Sequence, residues 1–159
     1  MSVAFRRESD DEHLEPKFEI PIPPGPNRVT ARGYALIGEH VVALEAAIAA
    51  LAEGDAAQAD RTRLARELRY WQTRQITAEV VPVAAGDVVD FGTAVTFRLN
   101  GKTRTVEIVG DDEADPASGK IAFSAPLARA MMGAEAGDTV EFGGQEDAIE
   151  ITAVAPLPA

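Results

Sequence analysis

Between residues 30 and 51 the large apolar side chains fall at Tyr34, Ile37, Val41, Leu44, Ile48 and Leu51, in alternating steps of three and four. That spacing puts them on one helical face, and over this length it also reads as a heptad seam. Val42, Ala46 and Ala47 widen the stripe. Thr30 offers a hydroxyl where an N-cap is needed, and Gly54 ends the run. A second helical pattern runs from about Ala56 to Ala78, with Leu64, Leu68, Trp71, Gln75 and Ala78 on its seam and Arg61, Arg63, Arg66, Arg69 and Arg74 off it. Spacing alone fits an amphipathic helix on a globular core as well as an arm of a coiled coil. Two such segments joined by Gly54-Asp55 predict an antiparallel helical hairpin, its first helix roughly 30–35 Å long. The arginines read as a solvated face pairing locally with Asp60 and Glu67, or else as a surface for an acidic partner.

After Pro82 the period changes from helical to alternating. Residues 93–99 and 102–109 alternate on either side of Asn100-Gly101, a dipeptide suited to the positive φ angles of a tight hairpin turn. An acidic loop follows at Gly110–Pro116, then a strand at Lys120–Ser124. A short helix at Pro126–Met132 has proline in its first turn and Gly133 just past its end. Strands at Thr139–Phe142 and Ala148–Ala155 flank a Gly143-Gly144 turn. The predicted class is α+β: a short antiparallel coiled-coil hairpin followed by an antiparallel sheet with one short helix. Ahead of both, residues 1–27 are rich in charge and then in proline (Pro16, Pro21, Pro23, Pro24, Pro26), which forbids helix and predicts an arm, mobile or laid along a surface. The expected divisions are 1–27, 28–78 and 79–159.

Composition narrows the function. There is no cysteine, which removes disulfides, thiolate metal sites and cysteine nucleophiles. No apolar run is long enough to span a membrane, and the charged start lacks the apolar stretch of a secretory signal. A cytoplasmic protein is expected. The net charge is −11, and residues 79–159 hold fourteen acids against five bases. That balance disfavours DNA and anionic lipid and favours a basic protein surface.

Candidate chemistry is sparse. His13 and His40 stand alone, as surface or packing residues do, and no nucleophile–base pair, phosphate loop or paired histidine motif appears. The loop Asp111-Asp112-Glu113-Ala114-Asp115 lacks the ligand spacing of a calcium site and reads as a solvated acidic loop. Glu53, Asp55 and Asp60 gather at the predicted hairpin tip. Asp55 or Asp60 could cap helix amides, or two carboxylates one turn apart could hold a hydrated Mg²⁺; capping is the simpler reading.

Several stretches in series carry a resemblance: Phe91-Gly92-Thr93-Ala94-Val95, Ile108-Val109-Gly110-Asp111-Asp112-Glu113-Ala114-Asp115, Gly119-Lys120-Ile121, Ala125 to Gly133, and Gly137-Asp138-Thr139-Val140. In order and spacing, residues 79–155 resemble the Gre transcript-cleavage factors, the GreA/GreB family. Thr30-Ala31-Arg32-Gly33-Tyr34 and Leu68-Arg69-Tyr70-Trp71 look like parts of that family's two coil helices.

The resemblance implies a coil that enters the secondary channel of bacterial RNA polymerase and an FKBP-like C-terminal domain that grips the channel rim. It implies no enzyme activity of the chain's own: two acids at the coil tip help place a Mg²⁺ with which the polymerase cleaves its own RNA. Ser124, Ala125 and Pro126 fall at the rim-binding edge, with Arg129 on the helix behind it. Two departures stand out. The coil is shorter than the family pattern, by about two heptads in the first helix and one in the second, and two heptads are ~20 Å of reach. At the tip, Gly54-Asp55-Ala56-Ala57-Gln58 fits the family's Gly-Asp-x-Ser-Glu except that Gln58 replaces the second acid; Glu53 and Asp60 are the other acids nearby.

The expectation is a regulator that binds core RNA polymerase and stimulates cleavage weakly or not at all. It would have no cofactor beyond a Mg²⁺ shared with the polymerase, and contact nascent RNA only indirectly. The alternatives are a genuine cleavage factor and an adaptor unrelated to polymerase. RNA shortening in stalled complexes separates the first, and binding to core polymerase the second.

Overall fold

A computed structural model describes residues 19–158. Residues 1–18, including His13 and most of the proposed arm, lie outside the described residues. The elements in order are β1 (Arg28–Val29), α1 (Ala31–Ala49), α2 (Gln58–Thr77), β2 (Glu79–Val80), β3 (Thr93–Leu99), β4 (Lys102–Val109), β5 (Lys120–Ala122), α3 (Pro126–Met131), β6 (Thr139–Phe142) and β7 (Gln145–Pro156).

α1 and α2 form the hairpin. Thr30 caps α1, its Oγ1 accepting from the Gly33 amide at 2.9 Å. Ile37, Val41 and Leu44 are buried on the inner face, as the seam predicts. Tyr34 is not: it is 41% exposed, and Gly33 holds the buried position instead. The reason is local. At its base α1 packs on the loop after β4 rather than on α2, and a Cβ at residue 33 would lie 2.8 Å from Glu113 Oε1. A two-helix hairpin encloses its seam from one side only, so on α2 Leu64, Leu68 and Trp71 are half-buried. His40 stacks on Trp71 across the hairpin, centroids 3.9 Å apart, which settles it as a packing residue.

The other layer is a five-stranded mixed sheet in the order β5-β4-β3-β7-β6. β3 and β4 meet at Asn100-Gly101, with φ of 53° and 77°, the left-handed pair a two-residue turn demands. Along β3 the alternating Thr93, Val95 and Phe97 point inward. They pack with Val106 and Ile108 of β4 and Ile149 and Ile151 of β7, while Ala128 and Met131 of α3 close the core. The sheet is not wholly antiparallel, because β5 runs parallel to β4. The connection over residues 110–119 carries the chain back along the sheet before β5 starts, where a tight turn would have reversed it.

One ladder has no counterpart in the sequence pattern. β1 and β2 pair in parallel, the Asn27 and Val29 carbonyls accepting from the Glu79 and Val81 amides at 2.8 and 2.9 Å. The chain entering the hairpin and the chain leaving it are thereby joined side by side at the base. At this end Asn27 and Val29 are buried, and Glu19 pairs with Arg69 on α2.

Candidate functional site

The hairpin tip is the first place the sequence marks. α1 ends at Ala49, a short 3₁₀ turn spans Asp55–Ala57, and Gly54 takes a φ of 117° between them. Glu53, Asp55 and Asp60 are all exposed here. The capping reading does not hold, because neither Asp55 nor Asp60 accepts a capping bond; α2 starts from Ala57 without a side-chain cap. Asp60 instead takes the Arg63 guanidinium at 3.3 Å. Arg61 ties the tip together, donating to Gln58 Oε1 at 3.0 Å and to the Ala52 carbonyl at 2.9 Å. Glu53 and Asp55 have no hydrogen-bond or ion-pair partner among the described residues. No group of three or more metal-ligating side chains forms among the described residues.

The second place is the α3 edge. Ala125 precedes the helix in extended conformation, and Pro126 fills its first position, where a missing N–H matters least. Pro126 and Arg129 are exposed and border an open groove of about 650 Å³ shared with Glu141 and Phe142 of β6. Ser124 Oγ donates to Asp111 Oδ1 at 2.7 Å. That bond joins the α3 edge to the acidic loop.

The acidic loop is where the sequence reading needs correction. It is not a solvated run of charge: Glu113 is buried and Asp112 nearly so, and both are fully engaged. Asp112 accepts from Arg74 Nε at 2.6 Å and from the Tyr70 hydroxyl at 2.5 Å. Arg74 is itself 2% exposed, with Nη2 donating to Asn27 Oδ1 at 2.7 Å, so it does not belong to a solvated arginine face. Arg63, by contrast, pairs locally with Asp60 and Glu67 as predicted. Glu113 accepts from the Thr30 hydroxyl and from Arg32 Nε, each at 2.6 Å, and Arg32 reaches Glu107 at 3.1 Å.

The charges respond to this packing. Burial foremost, then the bond to Asp112, raises Tyr70 far above its ordinary value. The bonds to Glu113 and Glu107 raise Arg32. Glu19 and Arg69 shift apart, Glu19 down and Arg69 up, chiefly through their mutual hydrogen bonds. Every buried side-chain polar atom among the described residues has a partner. An apolar cleft of about 190 Å³ opens beside the junction, lined by Thr30, Val80, Val83 and Leu157 among others, and no predicted site residue lines it.

The geometry thus brings together the α3 edge, the acidic loop and the hairpin base, and leaves the tip ~30 Å away by the helical rise. Asp112, Glu113 and Arg74 read in the sequence as solvated charge, and nothing in the pattern marks Asn27, Arg32 or Tyr70. The signal available was their presence in or beside the family-like stretches at 30–34, 68–71 and 108–115.

Residues 84–156 match the family model described as "Transcription elongation factor, GreA/GreB, C-term". Transcription elongation factor GreA of Phenylobacterium zucineum is 34% identical over 149 residues, covering 79% of this chain and 95% of the relative. GreA of Thioalkalivibrio sulfidiphilus is 36% identical over 147 residues, covering 82% and 92%. Among solved structures, a GreA/GreB factor from Nitrosomonas europaea has a TM-score of 0.38 at 20% identity, covering 83% of this chain and 99% of that one. The chain belongs to the GreA/GreB family of transcription elongation factors, on the strength of the sequence matches. No helix among the described residues is long and apolar enough to cross a membrane.

Proposed function

We propose that this protein regulates elongation by docking on core bacterial RNA polymerase at its secondary channel, with weak or no stimulation of transcript cleavage. The α3 edge at Ser124, Ala125, Pro126 and Arg129 grips the channel rim, and the hairpin probes inward. The observation that carries the reading is the tip: in a GreA/GreB family chain, Asp55 stands exposed and without a partner among the described residues, while Gln58 is tied to Arg61. A neutral amide is a poorer Mg²⁺ ligand than a carboxylate, so a metal shared with the polymerase is held less firmly. A short hairpin adds to this. The GreA alignment that runs over 149 residues takes up only 79% of this chain but 95% of the relative, which therefore has stretches without counterpart here. The protein acts through the polymerase in the cytoplasm, and contact with nascent RNA is indirect. The acidic balance of residues 79–159 favours fast, salt-sensitive association with a basic rim.

A second reading, true cleavage stimulation, is favoured by one observation: Glu53 flanks Asp55 at the tip and is likewise unpaired among the described residues. Two measurements test both. Core polymerase should co-sediment with the protein at moderate salt, and Pro126→Asp should weaken the complex by more than about tenfold, a loss of ~1.4 kcal/mol. No complex, or one indifferent to the substitution, would overturn the docking proposal. In stalled elongation complexes the protein should shorten RNA far more slowly than a full-length Gre factor. Equal speed would establish the second reading, and a gain on Gln58→Glu would mean that the tip reaches the active centre.

A further inference from the structure

Asp112 and Glu113 are consecutive, yet each holds a different helix of the hairpin. Asp112 takes Tyr70 and Arg74 of α2. Glu113 takes Thr30, the cap of α1, and Arg32 in its first turn. One contact would leave the hairpin free to swing about it. Two contacts to two helices, from neighbouring residues of one loop, define a direction.

The loop is itself braced. The Glu113 and Ala114 amides both donate to the Gly110 carbonyl at 3.2 and 3.1 Å. Asp111 is held by Ser124 at 2.7 Å. Gly110 lies so close to the Arg28 carbonyl that a Cβ there would overlap it. The loop thus continues rigidly from β4 into the hairpin base.

We propose that Asp112 and Glu113 are positioning residues: they set the angle at which the hairpin leaves the sheet, and so fix where the tip arrives. The lever makes this matter. Over ~30 Å a swing of about 10° moves the tip by about 5 Å, more than twice a Mg²⁺–oxygen distance. A tip acting inside a partner tolerates no such error. The effect on function rests on the docking reading above; the effect on pointing does not.

The chain has no cysteine, so Ala56→Cys at the tip and Lys102→Cys on the sheet give two unique sites for spin labels. The distance distribution between them should be narrow in the parent protein and broaden in Asp112→Asn and in Glu113→Gln. Arg32→Gln, which removes the half-exposed partner, should broaden it too and keeps the test open if a buried-residue variant does not fold. Methyl resonances of Ile149 and Ile151 report that the sheet stays intact. With polymerase, the half-saturating concentration should hold while the maximal effect on elongation falls at least ~tenfold, the scale expected for misplacement. An unbroadened distribution in the folded variants, or lost affinity with a full maximal effect, overturns the proposal. If the parent protein forms no polymerase complex, the docking reading alone fails and the distance distribution decides the inference.

Discussion

Arg74 is the largest side chain among those fully buried, on a helix whose other arginines face water or pair at the surface. It is tolerated because its guanidinium is met from two sides, by Asp112 and Asn27. Removing either charge of such a pair leaves the other buried and uncompensated, an effect on the order of 3–5 kcal/mol. Tyr70 gives a sharper test. Its proton is held more tightly in the folded chain than in the unfolded one, through burial and then the bond to Asp112. That difference adds stability below about pH 10 and is lost as the pH climbs through the raised folded value. The denaturation midpoint of the parent protein should therefore fall above about pH 10 more steeply than that of Tyr70→Phe; parallel curves would contradict the assignment. None of these roles was legible in the sequence. Arg74 is one of five arginines off a helical seam, and only the arrival of a loop 38 residues away distinguishes it.

At the scale of elements, the parts with a period were readable and the parts without one were not. The middle of the α1 stripe (Ile37, Val41, Leu44), the Asn100-Gly101 turn and the proline and glycine bounding α3 each have a local cause, and each stands where the pattern put it. The ladder between β1 and β2 is two residues a side, too short for any alternation, and the direction of β5 depends on how its connection travels. Tyr34 and Gly33 exchanged places because α1 changes its packing partner along its length. The tip acids lie at the hairpin end because turn chemistry fixes that end, but their bonding depends on Arg61 and Arg63, which spacing did not resolve. The same uneven packing predicts uneven energetics. Ile37 is 1% exposed and Leu64 only half-buried. Ile37→Ala should lower stability by about 2–5 kcal/mol and Leu64→Ala by clearly less, read from urea midpoints at constant slope.

Across the whole molecule, stability is concentrated on one side. The sheet holds a continuous apolar core through β3, β4 and β7, whereas in the hairpin only one face of α1 and Arg74 of α2 are buried. Local opening follows buried contacts. Amides of β3, β4 and β7 should exchange slowest, those of α1 and α2 near the base at intermediate rates, and those of residues 50–58 fastest. Protection at the tip equal to that of β3 would show that the hairpin is not the exposed, two-helix element described above.

The parallel ladder of β1 and β2 has a consequence for descent. It fastens both ends of a 49-residue excursion to the same spot, so everything beyond it can be lengthened or trimmed in matched seven-residue steps while the foundation keeps its shape. Probe length thereby becomes a quantity that heredity can adjust almost independently of the platform beneath.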